Sequence, residues 1–276
     1  MKLGMTSWSL PNCNLVEVAG IARVLQLDHI DVGFNHHSSL ERLRVINDGD
    51  RYAGELSRLD IPISGLYHRF GESIKHQNLA DRNYHNENLK NFEKAMRFCQ
   101  CLGVSNVFVL PGIVNPGQTR SEAISIAIEA LRPLVEIGLR WGVTVAIEAH
   151  VQSFIDSPSQ ALNLLSKVPG LKMALDYSHF SMLGYCQPEI DTLAPYAGMW
   201  HLRQARPGAL QTRLEDGVLD FHAMFGKMIE CGFLGPVSIE YVHTPYMGAS
   251  SIDVITETIK MRELVRTWAA ARPVGL

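Results

Sequence analysis

Eight short apolar runs, each bounded by turn residues, recur along the chain and alternate with longer segments of helical periodicity. The runs cover residues 2–7, 29–33, 62–67, 106–111, 144–148, 172–176, 199–202 and 237–241. The clearest helical segments cover 86–102, 121–141, 221–231 and 252–270. Strands that read as continuous apolar runs are buried on both faces, which is the habit of parallel sheets covered by helices. Eight βα units, with no GxGxxG after the first run and no phosphate-binding P-loop, predict a (β/α)8 TIM barrel rather than a doubly wound sheet. A chain of 276 residues with 46% hydrophobic content suits one such domain over residues 1–276.

Local signals agree. Ser121 stands before one helix and Gly142 after it. Asp156-Ser157-Pro158 offers a capping side chain followed by an early proline. Gly103 and Gly232 fall where left-handed C-terminal caps are wanted. Segments 67–82, 112–120 and 203–217 follow strands, so in a barrel they hang over the active-site mouth.

Charge and cysteine usage narrow the function classes. The net charge is −3, with Lys and Arg scattered, so neither a nucleic-acid groove nor electrostatic attachment to a membrane is expected. The opening MKLGMTSWSL reads as a first strand, not a signal peptide, and no apolar run approaches the ~18 residues of a membrane span. Cys13, Cys99, Cys101, Cys186 and Cys231 are odd in number and form no CxxC pair, as reduced thiols in a cytoplasmic protein would. Cys99 and Cys101 are two apart in a helical segment and point to different faces.

Four polar residues close four consecutive runs: Glu148 in VTVAIE, Asp176 in LKMALD, His201 in GMWH and Glu240 in PVSIE. Strand side chains alternate faces. If Glu148, Asp176 and Glu240 point into the barrel, so do the small residues Ala146, Ala174 and Ser238 two positions earlier. Val145, Ile147, Met173, Leu175, Val237 and Ile239 then face the helices. His201 fits the same phase, with Trp200 and Leu202 outward and Arg203 inward above it. Three carboxylates and one imidazole make an oxygen-rich divalent-metal site. Mn²⁺ is the first expectation, with Mg²⁺, Co²⁺ or Fe²⁺ also suited and Zn²⁺ less so.

Other residues have two readings each. His179, three after Asp176, is a substrate ligand, a ligand to a second metal or a surface-loop histidine. His150 would sit inward and higher in the mouth, and His68 would line the pocket after the third strand. Arg206 is taken as a substrate contact over a loop salt bridge to Glu215 or Asp216. Trp8 is an apolar wall for a sugar face or ordinary core. His36-His37 reads as a loop feature, Met96, Met173, Met224 and Met228 as core, and 268–276 as a segment over the barrel's bottom or against a neighbour.

Across essentially the whole chain this arrangement resembles the xylose isomerase-like TIM-barrel superfamily. The residues that carry the resemblance are VAIEAH, LDYSH, His201-Leu202-Arg203-Gln204, SIEY and the downstream EDGVLDF. The superfamily's sugar-active members include ketose 3-epimerases, hydroxypyruvate isomerase and inosose dehydratase. The resemblance implies that Glu148, Asp176, His201 and Glu240 are metal ligands and that Glu148 and Glu240 also form the acid/base pair. It implies substrate contacts for His179 and for an arginine after the strand-seven histidine, for which Arg206 is nearest. It also points to a homodimer or homotetramer. Gln204 stands where many members carry an acidic residue, and Arg203 is unusual for the motif; both departures bear on substrate identity.

The expected activity is a metal-dependent isomerisation or epimerisation of a ketose or related keto-sugar. A proton leaves the carbon beside the carbonyl and a metal-bound enediolate forms. The alternatives are a dehydratase or β-eliminase acting on a keto-sugar, inosose or keto-glycoside, an endonuclease IV-like phosphodiesterase, and a non-catalytic sugar-binding barrel.

Overall fold

The structure is a computed structural model that describes residues 2–34, 40–245, 249 and 251–271. His36-His37 and residues 272–276 lie outside the described residues. Eight parallel strands close into a barrel in chain order, with β1 (Leu3–Thr6) paired to β8 (Val237–Ile239). Between them run β2 (His29–Gly33), β3 (Ile63–Tyr67), β4 (Asn106–Val109), β5 (Thr144–Ile147), β6 (Lys172–Asp176) and β7 (Ala197–Leu202). All eight expected strands are present. Glu148 and Glu240 stand one residue beyond their strands, yet each backbone N–H still reaches the neighbouring strand, at Val109 and Leu202.

The helices are α1 (Leu15–Val24), α2 (Arg42–Leu56), α3 (His85–Leu102), α4 (Arg120–Trp141), α5 (Pro158–Lys167), α6 (Tyr177–Met182), α7 (Gln187–Asp191), α8 (Phe221–Glu230) and α9 (Val254–Ala270). Their boundaries follow the chemistry of the caps. Thr119, not Ser121, caps α4: its hydroxyl accepts from the Glu122 N–H while the Glu122 carboxylate accepts from the Thr119 N–H. Ser157 caps α5 ahead of Pro158, as expected. Gly103 and Gly142 end α3 and α4 at φ of 72° and 67°, a region a β-carbon disfavours, and Gly232 takes φ of 62° just past α8.

The two layers separate by strand phase. Val145, Ile147, Met173, Leu175, Trp200, Leu202, Val237 and Ile239 join the large core between barrel and helices. Ala146, Ala174 and Met199 pack inside the barrel with Trp8, Tyr67 and Phe108. Met96, Met173, Met224 and Met228 are all buried. Cys99 is buried and Cys101 exposed, so the two thiols do face different ways. Trp268 packs edge-on against Phe225 of α8, on the outside of the barrel. No described helix is long and apolar enough to cross a membrane.

Candidate active site

A cavity of about 690 Å³ opens at the carboxyl ends of the strands, where barrel enzymes place their chemistry. Inward phase on β5 and β8 delivers Glu148 and Glu240 to it, and β7 delivers Arg203. Loops 68–81 and 203–213 contribute Arg69, Ile74, Leu210 and Gln211 to the wall, as the loop lengths suggested. Tyr67 and Phe108 stack with centroids 4.8 Å apart and planes 9° apart, and Trp8 stands against both.

His201 is the hub. Its Nδ1 lies 3.2 Å from Glu148 Oε1 and 3.2 Å from Glu240 Oε2. Its Nε2 faces Asp31 Oδ2 at 3.7 Å, beyond hydrogen-bond distance. Burial alone would lower the imidazole's pKa. The charges of Glu240, Asp31 and Glu148 outweigh burial and hold it well above the usual value. Burial, reinforced by the charge on Glu240, pushes Glu148 up to about 7. The Trp8 indole N–H donates to Glu240 Oε1 at 2.7 Å, so this ring both lines the cavity and orients a carboxylate.

Asp176 ends β6 and also caps α6, its Oδ1 accepting from the Ser178 N–H at 2.8 Å. Its Oδ2 accepts from Arg203 Nη2 at 2.5 Å. Burial would raise this carboxyl, but Arg203 and His179 hold it down at about 2. Arg203 Nε donates to Ser178 Oγ, and Nη2 lies 3.0 Å from His179 Nε2. His179 lines the cavity, and burial drives its pKa well below the usual value.

These side chains fit a divalent cation. Glu148, His201 and Glu240 each offer a donor atom, all within 4.8 Å of one another, and Glu148, Asp176 and His179 form a second such group. Glu240 Oε2 is buried and, although His201 Nδ1 lies 3.2 Å away, it makes no well-aligned hydrogen bond, an acceptor that a cation would satisfy.

The structure therefore brings Glu148, Asp176, His201, Glu240, His179 and Trp8 together and leaves two expected residues out. His68 does not line the cavity. It points away from the barrel axis into a cage of Phe34, Phe70 and Phe92, and burial lowers its pKa to about 3. Arg206 is exposed, on a turn whose backbone pairs with Ala209. Arg203 is the arginine of the site, because two residues past His201 the strand phase returns to the interior. Gln204 faces neither cavity nor solvent. Its Oε1 accepts from the Ala205 and Leu219 N–H groups, and its Nε2 donates to the Leu214 and Leu219 carbonyls, stapling the loop after β7.

Asp31 was missed. It is fully buried, and Ser64 Oγ donates to its Oδ1 at 2.6 Å. A carboxylate in the middle of the apolar run HIDVG, in phase with inward His29, was the available signal.

Residues 25–263 match the family described as xylose isomerase-like TIM barrel. A curated relative, the L-ribulose-5-phosphate 3-epimerase UlaE of Shigella boydii serotype 18, is 25% identical over 203 residues, which span 67% of this chain and 64% of the relative. The chain thus covers just under two thirds of the relative's length. Among solved structures, the IOLI protein with a bound zinc atom shares 20% identity at a TM-score of 0.75 over 100% of both chains. D-psicose 3-epimerase from Clostridium cellulolyticum H10, solved with D-tagatose, shares 15% identity at a TM-score of 0.76 over 97% of this chain and 99% of that one. A closed eight-stranded barrel, a carboxylate–imidazole cluster at its carboxyl end and a family match across most of its length make this chain a member of the xylose isomerase-like TIM barrel family.

Proposed function

We propose that the chain is a divalent-metal-dependent isomerase or epimerase of a ketose or ketose phosphate, working by proton abstraction beside the carbonyl. The observation that carries this reading is the pair of buried glutamates, Glu148 and Glu240, each 3.2 Å from the same imidazole nitrogen in a cavity of sugar size. The epimerase relatives support the same reading.

Glu148, His201 and Glu240 would hold the ion, with Asp176 as the fourth ligand that the resemblance implies; Mn²⁺ is the expected occupant. When bound, the ion would supply a Lewis acid for the carbonyl and for the enediolate charge. Glu148, a buried carboxylate at the cavity wall, takes the proton from the carbon beside the carbonyl. Glu240, oriented by the Trp8 indole, gives the opposite face a proton drawn from solvent, and Glu148 releases its own to solvent, so the pair returns to its starting state. Return to the opposite face of the same carbon gives an epimer, and return to the adjacent carbon gives an isomer. His179 Nε2 accepts from Arg203, which fixes the ring at the cavity wall, where it would contact substrate. Trp8, Tyr67 and Phe108 provide an apolar wall against a sugar face and restrict water.

The test is deuterium exchange. The Mn²⁺-loaded protein is incubated in D₂O with ketoses, ketose phosphates, inososes and hydroxypyruvate, and label is mapped by NMR. Label at a carbon beside the carbonyl is expected, lost in Glu148→Gln and Glu240→Gln variants that remain folded. A product lighter by one water would turn the assignment to a dehydratase. No exchange from fully loaded protein across the panel would defeat the reading.

A further inference from the structure

The two donor groups at the mouth are in different states. In the group of Glu148, His201 and Glu240, the facing carboxylate oxygens meet the imidazole itself, a prospective ligand: Nδ1 lies 3.2 Å from Glu148 Oε1 and from Glu240 Oε2, and the latter contact makes no well-aligned hydrogen bond. In the group of Glu148, Asp176 and His179, a cation is already seated: Arg203 Nη2 lies 2.5 Å from Asp176 Oδ2 and 3.0 Å from His179 Nε2. Both oxygens of Asp176 are committed, Oδ1 to the first turn of α6 and Oδ2 to Arg203. The guanidinium is itself fixed from a second side by Ser178 Oγ, at 2.7 Å from Nε.

We propose that in this chain Arg203 holds Asp176 as its own counter-ion, so that a divalent cation is bound by Glu148, His201 and Glu240 alone. This rests on the metal-dependent reading above and departs from the four-ligand set that the resemblance implies. The geometry argues for it in three ways. Arg203 and Asp176 are both buried, and a buried guanidinium stripped of its carboxylate is strongly unfavourable, so the ion must compete with a fixed internal charge. Swinging Asp176 toward Glu240 would disturb the hydrogen bond by which its Oδ1 caps α6. Arg203 Nη2 already stands 3.7 Å from Glu240 Oε2, on the side from which Asp176 would join. The same guanidinium occupies the position that a second metal would need at His179. One ion per chain is therefore expected, and the loaded site keeps an additional positive charge beside the substrate.

The test is Mn²⁺ binding, followed by electron paramagnetic resonance of free Mn²⁺, on the parent, Arg203→Met and the charge-balanced double variant Asp176→Asn/Arg203→Met. The visible spectrum of each protein loaded with Co²⁺ reports its ligand set, and circular dichroism confirms folding. Three results are expected. The parent binds one ion. The double variant binds it within about threefold of the parent, with an unchanged Co²⁺ spectrum, because removing both members of the pair leaves no buried charge unmatched. Arg203→Met binds more tightly, on the order of tenfold or more, with a shifted spectrum as Asp176 joins the ion. A loss of about a hundredfold in the double variant would make Asp176 a ligand of the parent and overturn the proposal, leaving metal dependence intact. An Arg203→Met affinity and spectrum equal to the parent's would also overturn it. Absence of Mn²⁺ binding in the parent and every folded variant would defeat both the proposal and the metal-dependent reading. The double variant keeps the test decisive if Arg203→Met does not fold.

Discussion

At the scale of single residues, the site is held by groups that never reach the substrate. Asp31 faces the far nitrogen of His201 at 3.7 Å and receives a 2.6 Å hydrogen bond from Ser64. The charge of a buried carboxylate behind an imidazole raises its basicity, so Asp31→Asn should weaken Mn²⁺ binding by roughly 10- to 100-fold without touching the ion. Mn²⁺ titration of the folded variant checks this, and unchanged affinity would remove Asp31 from the site. His68 has a different role, in stability. In the fold its pKa is lowered from 6.5 to about 3 by burial among aromatic rings. The unfolded chain therefore takes up its proton first as pH falls through 6.5, and the folded state loses stability from there down toward pH 3. The full loss is on the order of 5 kcal/mol. His68→Leu should gain on the parent progressively below neutrality in urea unfolding; a constant difference between the two proteins would show that His68 is not the titrating group.

At the scale of elements, the strands were readable because a strand buried on both faces has little room for polar residues, and most of the helix ends because caps act within three or four residues, although the cap of α4 fell on Thr119 two residues before the expected Ser121. The four polar strand ends were readable for a related reason: alternation fixes which side of the barrel each faces. Arg203 followed from the same rule. Once the chain leaves the ladder, alternation stops, and so did the reading of Arg206; His68 is still on the ladder, its N–H donating to the Phe108 carbonyl, and alternation after inward Tyr67 turns it outward. Arg206 is exposed on its turn with Ala209, and His68 packs against Phe92 of α3, a partner distant in sequence. Gln204 was read as a substrate determinant. Its four hydrogen bonds to the backbone of residues 205–219 make it the fastener of that loop. Gln204→Glu, which keeps the shape and supplies the acidic type common in the motif, would set a carboxylate oxygen against the Leu214 and Leu219 carbonyls. We expect about 1–3 kcal/mol of destabilisation, with faster amide exchange at Ala205 and Leu219. Wild-type exchange in the variant would mean that the loop is held elsewhere.

At the scale of the molecule, the three ligands proposed above lie at the ends of β5, β7 and β8, so only the closed barrel would assemble them. An ion that binds the folded state alone must raise global stability: Mn²⁺ at 100 times its Kd should add about 2.7 kcal/mol, a rise of roughly 5 °C or more in melting temperature. A melting temperature indifferent to Mn²⁺ at that saturation would show that the site does not bind it. Closure itself joins Leu3 to Val237, and Trp8 donates to Glu240 across 232 residues of chain. On a ribosome, the first strand would emerge long before the last. At typical elongation rates the growing polypeptide would spend roughly ten to fifty seconds with an open seam along β1. Throughout that interval a nascent chain would have to be kept from pairing that edge with a neighbour, and activity would arrive in one step, when the final strand is made.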